Sequence, residues 1–375
     1  MKIGFLHKVN TTPPRSGGSV HTYQVSQYLA QKGYQLLALD NEQGSQFTQR
    51  FPRSWSGLKA LIKAADVLYF RIDGRAGWEM ASLVPGLIQS NKPVVWEINA
   101  TLEELQVLPT PMRMRDRFGT VLRSLSARRA NAALCVSAPL TQYAKELGIP
   151  AVTLTPNGSD PSMFNPSLRD SSVFPGLENH FRVVWAGSTT YSWHDFKTMV
   201  DCATYLKAID PEIGFAVVGN RPNAPELDIP DNIVFYPPVP YLDVPKYFAA
   251  ADVGLCLYRA ITWSRYGFFF SPLKLFDYAA SSVPVLYTNV PELDRVAHSL
   301  GMKVAEADVK DLAEKILMLK RDRALHRQLG EKARQSILSY YNWARVGQQT
   351  ETVLQSVLAG SSAGLVDLNP LGEAF

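Results

Sequence analysis

Short apolar runs rich in β-branched and aromatic residues recur through the first 160 residues or so: KIGFLH, YQLLALD, VLYFRI, PVVWEI, NAALCVS and AVTLTP. Helix-like stretches lie between them at 19–32, 55–65 and 138–147. Strands that are apolar on both faces and separated by helices build a parallel sheet covered on both sides. A second alternation begins at FRVVWAGS and runs through GFAVVGN, NIVFYPPV, VGLCLY and VPVLYT. Between the two, PNGSDPSMFNPSLRDSS (156–172) has the composition of a linker or hinge. Beyond about residue 305 the pattern is helical, and the last fifteen residues, SSAGLVDLNPLGEAF, read as a loose tail. The pattern predicts an α/β chain of two facing Rossmann-like domains with doubly wound parallel sheets, at 1–165 and 175–340. Helices at about 340–360 are expected to pack back toward the first domain, leaving a tail at 361–375. Ligands of open parallel sheets lie beyond the carboxyl ends of the strands, so a substrate is expected in the cleft between the domains.

Composition narrows the classes. With 375 residues, 46% apolar and 19% charged, the chain suits two globular domains. A balance of 38 basic against 34 acidic residues argues against a dedicated nucleic-acid binder. Cys135, Cys202 and Cys256 sit in apolar surroundings without metal-ligand spacing, as buried thiols of a reducing compartment do. The N-terminal apolar run is too short for a secretion signal and nowhere do 18 apolar residues run together, so a cytoplasmic protein is expected, at most peripheral at the inner membrane face. The segment MRMRDRFGTVLRSLSARR (112–129) carries six arginines against one acid. It reads as a solvated helix face, or as a basic amphipathic helix that leans on anionic lipid or takes an acidic acceptor.

Three places invite chemistry. In YGFFFSPLKLFDYAA (266–280), Ser271 suits a helix N-cap and Pro272 the first helical position. Lys274 then sits in the first turn, where the helix dipole repels a cation. Either it pairs with Asp277 on an exposed face, or it meets an anion at the helix mouth. The aromatic run before it is core or lid packing, or the wall of a sugar pocket formed by Phe269 and Phe270. In RSGGSVHTYQ, Gly17 and Gly18 precede a helix expected to start near Ser19, a place for a phosphate or simply a turn needing positive φ. Further on, VVWAGS ends in Gly187 and Ser188, a following helix bears Lys197, and Gly219 with PPVP (237–240) ends neighbouring strands, suiting a phosphate pocket and a flat slot for a base. His7 ends the first strand and His21 lies in the glycine-loop helix, both near the expected cleft, and His194 follows Trp193 in the second domain; without metal-ligand spacing, each reads by default as satisfied or solvent-facing.

Several segments in order over nearly the full length resemble a known family: SGGSVHTYQVSQYLAQKGY, ANAALCVSAPLTQYAKELGI, TPNGSDPSMFNP, VVWAGS, VVGN, DNIVFYPPVPYLDVPKYFAAADVGLCLY and SPLKLFDYAASSVPVLY. The chain resembles the family-4 glycosyltransferases of the GT-B fold (glycosyl transferases group 1), retaining enzymes that move a sugar from a nucleotide-sugar donor to an acceptor. The resemblance implies that Gly17 and Gly18 lie beside the donor phosphates and that the amides of Ser271, Pro272 and Leu273 face the diphosphate, with Lys274 the leading candidate for its positive charge; Ser188 and Lys197 are further phosphate candidates from their place after the strand end. It implies a nucleoside site at Gly219, Val239, Pro240 and Asp277, the last on the second acid of a Glu-x7-Glu motif that holds ribose, and an interdomain turn at Asn157 and Gly158. No metal or other cofactor is expected, since the diphosphate would meet helix amides and cations instead. The donor would be a UDP-, GDP- or ADP-sugar and the acceptor a carbohydrate, a lipid-linked sugar or a small molecule.

The chain departs from that family in places. Phe269 stands where the first acid of the motif belongs, Ser188 where many members carry Arg, and Ser282 where a glycine ends the helix. The usual His near the fourth strand is replaced in VVWEINAT, which offers Glu97 and Asn99 as catalytic candidates. A nucleotide-sugar-binding or scaffold protein that has lost catalysis is the alternative; a sugar epimerase or dehydrogenase has less to recommend it, as no suitable acid and histidine set and no GxGxxG after the first strand occur.

Overall fold

A computed structural model describes the chain except for residues 8–13, 15, 40–43, 45, 75–89, 108–113, 223–226 and 361–375, and the side chains of 115–121. It divides into two compact units. The first is assembled from three pieces of chain, 1–157, 262–271 and the described residues from Trp343 on; the second comprises Gly158–Ile261 and Pro272–Asn342.

In the first unit, β1 (Lys2–Leu6), α1 (Gly17–Gln31), β2 (Gln35–Leu39), β3 (Phe47–Phe51), α2 (Trp55–Ala64), β4 (Val67–Ile72), β5 (Val94–Ile98), α3 (Met114–Ala127), β6 (Ala132–Cys135), α4 (Ala138–Glu146) and β7 (Val152–Leu154) follow one another. Its seven strands lie in the order β3-β2-β1-β4-β5-β6-β7, all parallel. The second unit contains β8 (Phe181–Ala186), α5 (Phe196–Ile209), β9 (Ile213–Val218), β10 (Ile233–Tyr236), α6 (Val244–Ala249), β11 (Val253–Cys256), α7 (Leu273–Ala280), β12 (Val285–Thr288), α8 (Pro291–Ala297), β13 (Gly301–Val304), α9 (Val309–Arg321) and α10 (Arg323–Ser339). Its six parallel strands run β10-β9-β8-β11-β12-β13. A final helix, α11 (Trp343–Leu358), packs on α1 and β5 of the first unit. Both sheets are therefore doubly wound, and in each the strand order turns back beside the first strand, between β1 and β4 and between β8 and β11.

The central strands are buried along their whole length, as a sheet covered on both faces requires. Two strands lie outside the apolar pattern: Phe47–Phe51 exposes its three middle residues, and Gly301–Val304 buries only Val304. Both close the edge of their sheet, where a continuous apolar run is unnecessary.

Three local expectations are corrected. Helix α1 begins at Gly17, earlier than Ser19, because Ser16 and Ser19 form a reciprocal capping box; both glycines sit in the first turn without positive φ. Helix α7 begins at Leu273 with Pro272 in the capping position, and the Ser271 hydroxyl instead accepts a hydrogen bond from the Asn157 amide at 3.0 Å. The linker-like segment after Gly158 is packed structure of the second unit. Phe164 is fully buried against Tyr241 and Phe248, while the Arg334 guanidinium donates to the carbonyls of Pro161, Phe164 and Ala280. Ser282 has φ 58°, the left-handed conformation for which glycine is the easier choice. Of the basic segment 112–129, the structure describes α3 as a helix, while residues 112–113 and the side chains of 115–121 lie outside what it describes.

Gly158 is required by close approach: a Cβ there would fall 2.8 Å from backbone atoms of Tyr341 and Asn342. Gly158→Ala is expected to lower the unfolding free energy by about 1–3 kcal/mol, as overpacking does. Chemical denaturation measures it, and an unchanged midpoint would refute the crowding argument.

Candidate functional site

The chemistry of the second unit gathers at the carboxyl ends of β8, β9 and β11, beside the point where its strand order reverses, which is where ligands of open α/β sheets bind. Gly187 ends β8 with φ +113° and Gly219 ends β9 with φ +157°. The two meet closely, since a Cβ on Gly219 would lie 2.5 Å from the Gly187 carbonyl oxygen. Gly187 is exposed and Gly219 half-buried at the place where a ligand would approach. Ser188 follows, sharing a hydrogen bond with the Thr190 hydroxyl at 2.9 Å, and Thr189 donates to the Asn220 carbonyl at 3.1 Å.

Lys274 points into this same place. Its Nζ lies 4.4 Å from the Trp185 ring centre and 5.6 Å from that of Tyr258, and a Cβ on Gly187 would be 3.8 Å from it. The Nζ atom is buried and, among the described residues, has no hydrogen-bond partner. Burial lowers its pKa to about 8, although the nearby Cys256 sulfur favours the charge. The exposed pairing with Asp277 does not form, because Asp277 faces inward and accepts from the Ser159 hydroxyl at 2.6 Å. Burial pushes the Asp277 carboxyl well above the ordinary range, the neighbouring charge of Asp160 adds to this, and the Ser159 bond opposes it.

His194 completes the site. A loop carrying Tyr191 and Trp193, stacked 4.5 Å apart, is pinned to the chain after β11 by Asp195 N–H to Leu257 O and Arg259 N–H to Trp193 O. The ring Nδ1 of His194 lies 2.7 Å from the Ser188 carbonyl, and the ring packs edge-on to Trp185 and Tyr258. Burial first, and the Lys274 charge second, lower its pKa to about 3 against the pull of that carbonyl. The imidazole is therefore neutral, donating from Nδ1 to Ser188 and leaving Nε2 as an acceptor.

A second polar cluster lies within the first unit. Register pairs Arg71 of β4 directly with Glu97 of β5, and Arg71 Nη1 meets Glu97 Oε1 at 2.5 Å. Glu97 also accepts from Tyr69 Oη at 2.5 Å and Asn99 Nδ2 at 2.6 Å, and lies 3.3 Å from His21 Nε2. Burial alone would raise its pKa, but His21 and Arg71, with hydrogen bonds from His21 and Tyr69, hold it well below the carboxylate range. The other His21 nitrogen faces Asn157 Oδ1 at 2.6 Å, and Asn157 is oriented by donating from Nδ2 to the Ser271 carbonyl. Both ring nitrogens of His21 thus face acceptors. Gly18 borders this cluster: a Cβ there would be 3.0 Å from Arg71 Nη2.

The expected phosphate residues accordingly divide. Gly17, Gly18 and Ser271 belong to the first unit; Ser188, Lys197, Pro272, Leu273 and Lys274 belong to the second. Lys197 is exposed and pairs with Asp201 one turn along α5, away from Lys274 in its bonding. Gly219 joins the strand-end site, whereas Val239 is half-buried and Pro240 exposed in the turn after β10. Phe269 is corrected as a pocket wall: it is fully buried in the core of the first unit, its carbonyl accepting from the Ser137 hydroxyl, with Phe270 packed against that core. Glu97 is enclosed rather than free to act as a base, and Asn99 is half-buried beside it. Sequence reasoning overlooked Arg71 and His194 as site members. Their signal was position at or just beyond the carboxyl end of a strand, which many ordinary residues share. Among the described residues no three His, Cys, Asp or Glu side chains come together as a metal site would need.

Residues 198–352 match the family model described as glycosyl transferase-like. Solved glycosyltransferases share the fold of this chain. HepE of Anabaena, solved in complex with UDP and glucose, aligns with a TM-score of 0.72 and 15% identity over 95% of this chain and 100% of its own. Sucrose-phosphate synthase of Thermosynechococcus elongatus aligns at 0.68 and 16% identity over 96% and 100%, and WaaG, a glycosyltransferase involved in lipopolysaccharide biosynthesis, at 0.66 and 13% over 94% and 99%. No curated protein sequence matches the chain. The likeness to these enzymes is one of fold: each unit has a doubly wound, Rossmann-like parallel sheet.

Proposed function

We propose that this protein is a retaining glycosyltransferase that moves a hexose from a nucleotide-sugar donor to an acceptor hydroxyl without a metal ion. The observation that carries the reading is Lys274, a buried ammonium that among the described residues lacks a hydrogen-bond partner, at the strand-end switch point of the second unit. An unpaired buried cation is costly, and a diphosphate would satisfy it with charge-assisted hydrogen bonds. The side-chain-free backbone at Gly187 and Gly219 suits the same ligand, and HepE, which shares the fold, was solved with UDP-glucose.

In this mechanism the reacting bond joins the sugar anomeric carbon to the diphosphate. Lys274 stabilises the charge that develops on the leaving diphosphate, a task that preorganised donors perform without covalent chemistry. The acceptor's proton passes to the leaving phosphate on the same face of the sugar, so no protein carboxylate is required as base. Neutral His194 holds the Ser188 turn in place through its Nδ1–H. Asp277 in the ribose role has weaker support, since one carboxyl oxygen already accepts from Ser159. The proposed setting is cytoplasmic, in keeping with three buried unpaired cysteines. Contact of 112–129 with a membrane and the identity of the acceptor remain parts of the proposal.

Incubation with UDP-, GDP- and ADP-sugars is expected to give nucleoside diphosphate release that rises with an accepted acceptor, read by chromatography. Tight nucleotide binding with neither hydrolysis nor transfer would favour the binding-protein alternative. Absence of nucleotide binding would overturn the donor assignment.

A further inference from the structure

At the opposite end of the second sheet from Lys274, the amino ends of β8 and β9 border a cavity of about 290 Å³. Its wall brings together Arg169, Arg182, Lys320 and Arg323 with the acids Glu178, Glu212 and Asp252. The pairing inside it is uneven. One carboxylate, Asp252, serves two guanidiniums: Arg169 Nη2 at 2.5 Å and Arg182 Nε at 3.2 Å, while it also accepts from the Arg182 backbone amide at 2.9 Å. That leaves Arg182 Nη1 buried without a hydrogen-bond partner among the described residues, in a side chain only 8% exposed. Nδ1 of His180, on the same wall, is likewise buried and unpartnered. Arg323 lies over the Phe181 ring, 5.3 Å from its centre, and among the described residues no carboxylate is in bonding contact with it.

Leaving a buried guanidinium N–H unsatisfied is unfavourable, and the groups that would satisfy it are acceptors. The cations come from four separate places, the 158–173 segment, β8, the end of α9 and the start of α10; Lys320 is already held by Asp210 and Glu212, which leaves the three guanidiniums to converge on a ligand. Donors converging from several directions suit a tetrahedral oxyanion better than a planar carboxylate, which takes a single fork from one side. The cavity exceeds a lone phosphate but is small for a nucleotide sugar, at the lower end of the range of small-molecule sites.

We propose that this cavity is a second binding site, for a small phosphate-bearing metabolite, separate from the donor site. It does not depend on the glycosyltransferase reading. Arg182 Nη1 and His180 Nδ1 face the phosphate at its inner end, and Arg169 and Arg323 close over it from the exposed side.

The test is calorimetric titration of the full chain with inorganic phosphate, with glycerol phosphate and with citrate, at matched ionic strength. Saturable binding of the two phosphates is expected, with citrate weaker. Arg323→Gln, at an exposed position that should not disturb folding, is expected to weaken phosphate binding by about tenfold, the worth of one charge-assisted hydrogen bond. Arg169→Gln should do likewise. Lys274→Ala should leave this binding unchanged, which separates it from phosphate held at the donor site. Absence of saturable phosphate binding, equal affinity in wild type and Arg323→Gln, or loss of binding in Lys274→Ala would each overturn the proposal, and tighter citrate binding would overturn the phosphate class.

Discussion

Lys274→Ala is expected to weaken UDP binding by roughly a hundredfold, the worth of two charge-assisted hydrogen bonds to a diphosphate. Turnover should fall at least as far, because the charge on the leaving group grows in the transition state. The same ammonium should work against the stability of the empty protein. Its pKa in the folded chain is about 8 against an ordinary 10.5, so between those values the unfolded chain holds more protons and stability rises with pH. At neutral pH the charge therefore costs the fold roughly 3 kcal/mol. Lys274→Met, which keeps the length of the side chain but not the charge, should unfold at higher denaturant while losing UDP. Donor binding to wild type should weaken as pH rises past about 8, where the free side chain loses its proton. Unaltered affinity for UDP in Lys274→Ala, measured by calorimetry, would remove this residue from the phosphate site.

Glu97→Gln should damage the first unit rather than donor binding. The substitution leaves Arg71 and the His21 ring buried around a neutral amide that must turn its NH2 toward one of the four donors. Breaking one partner of a buried ionic group typically costs about 3–5 kcal/mol. The sign with pH is opposite to that of Lys274. Because the folded pKa of Glu97 is held below its ordinary 4.5, its contribution is fully present above that value and is lost as pH falls through the folded one. Wild type should consequently lose stability on acidification more steeply than Glu97→Gln. Parallel acid profiles in urea denaturation would show that the cluster carries no net ionic stabilisation.

The alternation of apolar runs with helices was enough to read both sheets, because buried parallel strands must be apolar on each face. The edge strands at 47–51 and 301–304 escaped for the same reason, having one side free. Lys274 drew attention as a cation in the first turn of a helix, and that local oddity proved to be a buried charge. What surrounds it was not legible: Trp185, Tyr258 and Gly187 come from elements that only the sheet order brings beside α7. Glu97 was noticed at a strand end, but its partner Arg71 depends on the register of β4 against β5, and a hydrophobic pattern specifies faces without specifying register to a distant strand. Ser271 looked like a helix cap because its local sequence suits one; the bond it makes reaches Asn157, 114 residues away. Phe269 likewise joined a core whose hydrogen-bonding partner Ser137 is 132 residues distant.

The three-piece construction of the first unit has a consequence for biosynthesis. Domains emerge from the ribosome in order, and N-terminal ones commonly fold first. Here the leading 157 residues leave the ribosome without Phe269 for their core and without the 343–358 helix that covers α1 and β5. The second unit needs nothing beyond residue 342, so the domain begun first is the one completed last, and nascent chains arrested before that helix would display an unfinished apolar surface to chaperones.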